Sequence, residues 1–147
     1  MDIIGLGAWN KLKVARLIAW LGDRLQIAEY KRPITLEIKW KKNHFKKTGN
    51  VAEVFACDDL IRSRHFEMIV DADPGDDWQT TQVFCHEMVH VMQSAKGRHV
   101  DFGPMQYWNG QPYDLRKIKY NKRPWEIEAH ELEDVLAEGY YKEQKWI

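Results

Sequence analysis

The sequence predicts a single α+β domain spanning residues 1–147. Three observations lead to this class: helical apolar periodicity near both ends and in the middle, strict alternation in between, and one long segment rich in glycine and proline. With 44% hydrophobic and 30% charged residues, a chain of 147 residues can bury one core.

The first half of the chain predicts one helix and three strands. Apolar residues from Ala8 to Tyr30 share one face of a 3.6-residue period, and Pro33 ends that helix. Ile34 to Trp40 alternates in period two, as half-buried strands do. The lysine-rich segment Lys41 to Asn50 predicts a solvated loop. Two further segments complete a three-stranded sheet: Val51–Ala56 and Phe66–Val70.

The second half predicts two helices joined by an irregular segment. The acids of Asp71 to Asp77 suit a helix N-terminus, and the helix itself runs from Trp78 to Ala95 before Gly97. Glycine and proline within Arg98 to Arg123 predict irregular structure. Pro124 then opens a third helix that continues to Tyr140.

Composition and charge exclude several classes of function. Lys plus Arg equals Asp plus Glu, at 22 each, which excludes a general electrostatic binder of nucleic acid. Cys57 and Cys85 are too few for a disulfide scaffold, and Cys85 fits a core thiol. No apolar run approaches about 20 residues, and no secretory signal is visible. We therefore expect a cytoplasmic protein without membrane contact.

The second helix contains the sequence His86-Glu87-Met88-Val89-His90, an H-E-x-x-H motif. Two histidines at i and i+4 lie on one helix face, where both imidazoles reach one Zn²⁺. Glu87 can lean toward a water at that ion and act as a general base. Apolar residues occupy the opposite arc of the helix, which predicts that the motif lines a cleft. A solvated polar face with incidental histidines is the plainer alternative.

A third ligand must come from elsewhere in the chain, because zinc sites hold at least three protein ligands. Three residues are candidates: His99, Glu126 and His130. Helical periodicity does not separate Glu126 from Glu128, since both flank the same apolar stripe.

The downstream segment Pro124-Trp125-Glu126-Ile127-Glu128-Ala129-His130 resembles the E-x-x-A motif of gluzincin peptidases, which follows their H-E-x-x-H helix. The resemblance covers roughly residues 66–140 and implies a minimal zincin-like fold. It implies that Glu126 is the third zinc ligand and that the small Ala129 lets the two helices approach. His130 would support a ligand, although the family usually has Asp or Asn at this position.

The resemblance also implies an activity, the zinc-dependent hydrolysis of peptide bonds with one Zn²⁺ per chain. His86, His90 and Glu126 would hold the ion, and Glu87 would act as the base. The oxyanion of such a reaction needs a further donor. Three residues are candidates for that donor: His99, Tyr113 and Tyr120.

In zincins the strand before the metal helix runs along the cleft as a sheet edge. Arg64 to Asp71 occupies that place here, so the resemblance implies that an extended peptide or unfolded protein docks on it as a further strand.

Two other functions remain open: a non-catalytic zinc-site sensor or binding module, and a DNA-associated peptidase similar to the SprT-like family. That family uses a third histidine, and His99 comes sooner than its spacing allows. The basic segment Lys39 to Lys47 could recruit DNA, but a solvated loop explains it better, and we do not expect nucleic acid as a partner.

Three apolar residues of the first helix lie on the face opposite its core stripe: Trp9, Trp20 and Ile27. Another segment of the same chain covers them, or a partner protein docks there; the former is the simpler explanation.

Overall fold

The computed structural model describes residues 1–5 and 11–144. Within them the fold is α+β, as predicted, with helices and two separate sheets. A single 3₁₀ turn lies at Tyr120–Lys122. The elements are β1 (Asp2–Ile4), α1 (Lys11–Arg24), β2 (Thr35–Lys41), α2 (His44–Thr48), β3 (Ala52–Ala56), β4 (His65–Asp71), α3 (Asp77–Ala95), β5 (His99–Phe102), β6 (Met105–Trp108), β7 (Gln111–Asp114) and α4 (Pro124–Gln144).

The first sheet has four strands in the order β1-β2-β4-β3, with β3 antiparallel to its neighbour. One face is apolar, because alternate residues such as Leu36 and Met68 point into the core that α1, α3 and α4 share. The other face carries polar contacts, among them an ion pair between Lys39 and Glu67 at 3.2 Å. The helices therefore pack against a single face of this sheet.

The edge strands of this sheet are β1 and β3, and the prediction that the strand at Arg64 to Asp71 forms an edge is wrong. Strand β4 lies between β2 and β3 and is buried along most of its length. A central strand and an edge strand can show the same alternation, so the sequence pattern does not give strand order.

Hydrogen bonding fixes which main-chain groups of β3 face outward. The Cys57 N–H donates to His65 O, and the Asp71 N–H donates to Val51 O. Because the register is continuous between these bonds, odd-numbered residues of β3 pair with β4. The N–H and C=O groups of Val54 and Ala56 consequently point away from the sheet.

Helix α1 ends at Arg24 rather than at the predicted Tyr30. Gln26 adopts a left-handed conformation (φ 59°), and the Ile27 N–H donates to Gly22 O at 2.9 Å, which closes the helix in a Schellman motif. The turn directs Ile27 into the core, where it is 1% exposed. The chain departs from the helical period here, so the face predicted for Ile27 does not exist.

Trp20 is half-buried against α4, with its ring 5.5 Å from that of Tyr140 and its Nε1–H donating to Glu143. Segments of the same chain therefore cover Trp20 and Ile27. Trp9 and Ala8 lie outside the described residues.

Two short elements in the first half of the chain were not predicted. Strand β1 pairs in parallel with β2 as the fourth strand of the sheet. Its three residues are too few to show the alternation of apolar and polar residues that predicts a strand. Within the predicted loop at 41–50, α2 forms between Asn43 (φ 60°) and Gly49 (φ 82°). The Phe45 N–H donates to the Asp71 carboxylate at 2.8 Å, which fastens α2 to the end of β4.

Residues 98–123 are not irregular, contrary to the prediction, but contain a second, antiparallel sheet in the order β5-β6-β7. Asn109 (φ 50°) and Gly110 (φ 81°) form the two-residue turn between β6 and β7. Asn-Gly is a strongly preferred sequence for such a hairpin, so this signal was present in the sequence.

Helices α3 and α4 match their predictions closely, with α4 continuing past the predicted Tyr140 to Gln144. Asp76 and Gln79 form a reciprocal capping box that starts α3. Ala129 is fully buried in the core shared by the two helices. Within the described residues, the helices are too short or too polar to cross a lipid bilayer.

Candidate metal centre and cleft

Two helices bring three metal-ligand side chains together. His86 and His90 lie one turn apart on α3, and Glu126 lies in the first turn of α4. The Nε2 atoms of the histidines are 3.2 Å apart. Glu126 Oε1 lies 3.2 Å from His86 Nε2 and 2.9 Å from His90 Nε2. These are the three residues that the H-E-x-x-H motif and the gluzincin resemblance name as ligands.

This donor set fits a zinc ion. Ligand bonds of about 2.1 Å in a tetrahedral site place ligand atoms about 3.4 Å from one another, close to the separations seen here. Two imidazole nitrogens and one carboxylate oxygen are typical zinc ligands, and three protein ligands leave a position open. A bound cation would hold two imidazole nitrogens that face each other at 3.2 Å.

The structure separates Glu126 from Glu128, which periodicity could not do. Glu128 points away from the histidines and accepts hydrogen bonds from Arg98, at 2.6 and 3.1 Å. It also accepts a hydrogen bond from Gln93 at 3.1 Å. Glu128 is therefore committed to an ion pair behind the metal centre.

Each histidine is held through its second ring nitrogen. His86 Nδ1 lies 3.1 Å from Glu133 Oε2, and His90 Nδ1 lies 2.8 Å from Gln93 Oε1. Both oxygens are acceptors, so each Nδ1 carries a proton, and each Nε2 would present its lone pair to a bound cation. Gln93 is fully buried and its amide donates to Trp125 O, which fixes its orientation.

His130 and Tyr120 complete a ring of contacts around the centre. His130 Nδ1 lies 3.0 Å from Glu133 Oε1, and His130 Nε2 lies 3.4 Å from the Tyr120 hydroxyl. That hydroxyl donates to Glu126 Oε1 at 3.0 Å. His130 thus contacts the residue that holds His86, and His86, His130 and Glu133 form a second group with metal-ligand spacing.

The ionisation of the centre follows from its burial and its contacts. Burial opposes the charge on Glu126, but hydrogen bonds from His86 and His90 hold its pKa well below the usual range. Burial lowers the pKa of His90, and contact with Glu126 outweighs that effect and raises it. Glu87 is 7% exposed, and burial raises its pKa although the two imidazoles oppose the shift.

The centre lies on a cleft of about 680 Å³. Strand β3, residues 58–61, Ser63 and strand β5 line this space, and His90 and Glu126 lie on its wall. Several exposed apolar side chains surround this space: Phe55, Leu60, Ile61 and Phe102. A second cleft, of about 630 Å³, lies at the N-terminus of α3 and includes Glu133.

No protein-family model, curated protein or solved structure matches this chain. Residue chemistry and geometry therefore carry the functional argument.

Two predicted site residues lie in or near the cleft but apart from the metal ligands. The His99 ring stacks on Trp125 at 4.4 Å, and its Nε2 contacts Gln106 Oε1 at 2.5 Å. Burial lowers the pKa of His99. Tyr113 packs edge-on against Trp125 at 5.9 Å. Neither belongs to a group of metal-ligand atoms within the part of the chain that is described.

Glu133 and Gln93 support the centre and were not predicted from the sequence. Their spacing places each on the same helix face as a candidate ligand: Gln93 follows His90 by three residues, and Glu133 follows Glu126 by seven. Cys85 was predicted correctly as a core thiol, since it is fully buried and burial raises its pKa to about 12.

Proposed function

We propose that this chain is a zinc-dependent peptidase of the gluzincin type with a zincin-like fold. The observation that carries the proposal is the convergence of His86 Nε2, His90 Nε2 and Glu126 Oε1 beside a cleft that the edge strand β3 also lines. Glu87, adjacent to His86, supplies a buried carboxylate beside the same centre.

A bound zinc ion would supply Lewis acidity toward water and toward the scissile carbonyl. Glu87 then acts as the general base. Its carboxylate takes a proton from the attacking water and delivers it to the nitrogen of the leaving amine. Burial suits this role, because a raised pKa makes the carboxylate a stronger base than one in water.

Tyr120 is the best placed of the three predicted oxyanion donors. Its hydroxyl lies 3.0 Å from Glu126 Oε1 and therefore beside the metal-ligand group. Burial and the Glu126 carboxylate raise the pKa of the phenol, so it stays protonated and can donate. Ring stacking and the Gln106 contact commit His99 elsewhere.

The substrate of this site is an extended peptide or unfolded protein. Val54 and Ala56 direct main-chain donors and acceptors outward from the β3 edge, which is also a wall of the cleft. An extended peptide can pair with these groups as a fifth strand. Nucleic acid is a weaker candidate, because Lys39 of the basic segment is already paired with Glu67.

Turnover of reduced, unfolded casein tests the proposal. The zinc-loaded chain should cleave it, a chelator should stop cleavage, and added zinc should restore it. A chain that binds one zinc ion and leaves casein intact would instead support the sensor or binding module. Casein cleavage that a chelator does not affect would contradict a metal mechanism.

A further inference from the structure

Among the described residues, two buried side-chain nitrogens have no hydrogen-bond acceptor: His44 Nε2 and Arg123 Nε. His44 Nε2 at least faces a carboxylate, since Glu53 Oε1 lies 3.4 Å away. Arg123 has no described ion pair, and its guanidinium contacts the Tyr120 ring at 5.8 Å. This Nε–H is closed to solvent, so a ligand in the cleft would reach the guanidinium through its two terminal nitrogens, which have no described hydrogen bond.

Arg123 lines the cleft close to the metal centre. It is half-buried and immediately precedes α4, three residues before Glu126. The Glu126 N–H donates to Arg123 O at 3.0 Å, so the two residues are joined through the first turn of the helix.

No ion pair joins this guanidinium to a carboxylate among the described residues, and Glu53 of the cleft lies against His44 instead. Asp58 accepts main-chain N–H groups of its own loop, and Asp101 accepts a main-chain N–H of its own turn at 2.7 Å. Glu126 faces the two histidines. The contrast with Arg98 is direct, because Arg98 forms a two-pronged ion pair with Glu128.

We propose that Arg123 is a substrate-binding residue that receives a carboxylate of the bound peptide, either the C-terminal carboxylate or an Asp or Glu side chain. A guanidinium presents a planar pair of donors that matches a carboxylate. Arg123 lies beside Glu126, and an extended peptide advances about 3.3 Å per residue. The carboxylate that Arg123 receives therefore lies within about two residues of the scissile bond. This assignment rests on the proposed function of the same cleft.

Binding without hydrolysis tests the assignment. The probes are alanine-based hexapeptides in which one Asp is moved along the chain, each with an Asn twin, and each made with a free or an amidated C-terminus. Calorimetric titration into the zinc-loaded Glu87→Gln protein measures affinity. Arg123→Gln is then added on that background. Lys122→Gln is the matched control, because it removes the same charge from an exposed neighbour.

We expect at least one carboxylate peptide to bind about tenfold or more tightly than its neutral twin, and Arg123→Gln to abolish that difference. Lys122→Gln should leave it within about twofold. Dependence on the free terminus or on Asp identifies the source of the carboxylate. Equal binding of charged and neutral peptides, an unchanged preference in Arg123→Gln, or absence of peptide binding would overturn the assignment.

The two assays distinguish failure of the peptidase proposal from failure of the Arg123 assignment. If only the peptidase proposal fails, the carboxylate preference persists in the binding assay, while the wild-type protein leaves both casein and the preferred peptide uncut. Thermal unfolding of each variant checks that Arg123→Gln retains the fold.

Discussion

His86 Nδ1 lies 3.1 Å from Glu133 Oε2, so a carboxylate of α4 orients the imidazole of His86, the first of the proposed metal ligands. The resemblance to gluzincins implies a supporting residue at the position of His130. His130 instead contacts the other oxygen of Glu133, at 3.0 Å, and the carboxylate comes from one turn further along the helix. A carboxylate behind a ligand histidine fixes its tautomer and raises its basicity.

The first prediction concerns this support. Glu133→Gln should weaken zinc affinity about 10- to 100-fold, because an amide orients the imidazole less strongly than a carboxylate does. Competition with a chromophoric chelator measures the affinity. Glu138→Gln, an exposed substitution on the same helix, should change nothing. Equal zinc affinity in Glu133→Gln and the wild type would show that Glu133 does not support the centre.

The second prediction separates Glu126 from Glu128 on α4. Glu126→Ala should abolish stoichiometric zinc binding, since it removes one of three protein ligands. Glu128→Ala should keep the zinc but lower the free energy of unfolding by about 1 kcal/mol, because Arg98 loses a half-buried partner. Metal analysis and urea unfolding measure the two effects. Retention of zinc in Glu126→Ala would exclude Glu126 as a ligand.

The third prediction concerns Glu87. Glu87→Gln should bind one zinc ion and unfold at the wild-type temperature or above, because the substitution removes a buried charge without changing shape. Casein turnover should fall at least about 100-fold, since the amide cannot accept the proton. Wild-type turnover in this variant would contradict the role of Glu87 as the base.

Local sequence signals predicted the two helices of the site well. Features that depend on contacts between distant segments, such as strand order, could not be predicted. The acids before Trp78 and the proline at position 124 mark the starts of α3 and α4, because capping and proline preference act within one turn. The H-E-x-x-H spacing likewise fixes His86 and His90 on one face. Strand order could not be predicted, because β3 and β4 show similar alternation and their neighbours are set by packing.

Helical periodicity also could not show which acidic residue of α4 faces the two histidines. Glu126 contacts the two histidines, whereas Glu128 forms an ion pair with Arg98, which follows α3 in the chain. This ion pair turns Glu128 away from the histidines. Resemblance to a family favoured Glu126, whereas the residues alone did not. The Asn109-Gly110 turn is different, because its signal is local and would have predicted the β6–β7 hairpin, although residues 98–123 were predicted to be irregular.

The fourth prediction concerns the wall of the cleft at residues 58–63. Asp58 accepts the N–H groups of Leu60, Arg64 and His65, at 3.2, 2.8 and 3.0 Å. Burial opposes its charge, but these bonds hold its pKa below the ordinary value. A depressed pKa in the folded state stabilises the protein above the unfolded pKa of about 3.9. That contribution is lost as the pH falls through the folded pKa.

Asp58→Asn should therefore lower the free energy of unfolding by about 1–2 kcal/mol at about pH 6, with the difference from wild type shrinking below about pH 4. Urea unfolding at a series of pH values measures it. Asp59→Asn, at the exposed neighbouring position, is the matched control. A difference between Asp58→Asn and wild type that does not depend on pH would contradict this account of Asp58.

The last prediction concerns the β3 edge, whose outward main-chain groups belong to Val54 and Ala56. Ala56→Pro removes an outward N–H without removing a bond to β4, since proline is tolerated on a strand edge. It should keep the fold while KM for casein rises several-fold. Phe55→Pro is the contrasting variant, because it removes an N–H that faces β4 and should destabilise the sheet itself.

The substrate side of the same edge is tested with N-methylated peptides. Methylation beside the scissile bond removes the donors of the added strand, so these peptides should be cut far more slowly than their parents. The methylated peptides lose a main-chain donor while keeping every side chain, and Ala56→Pro loses one while changing only a small side chain, so a common slowing identifies main-chain pairing as the cause. Unchanged KM in a folded Ala56→Pro protein, together with full cleavage of the methylated peptides, would show that substrate does not dock as a strand on β3.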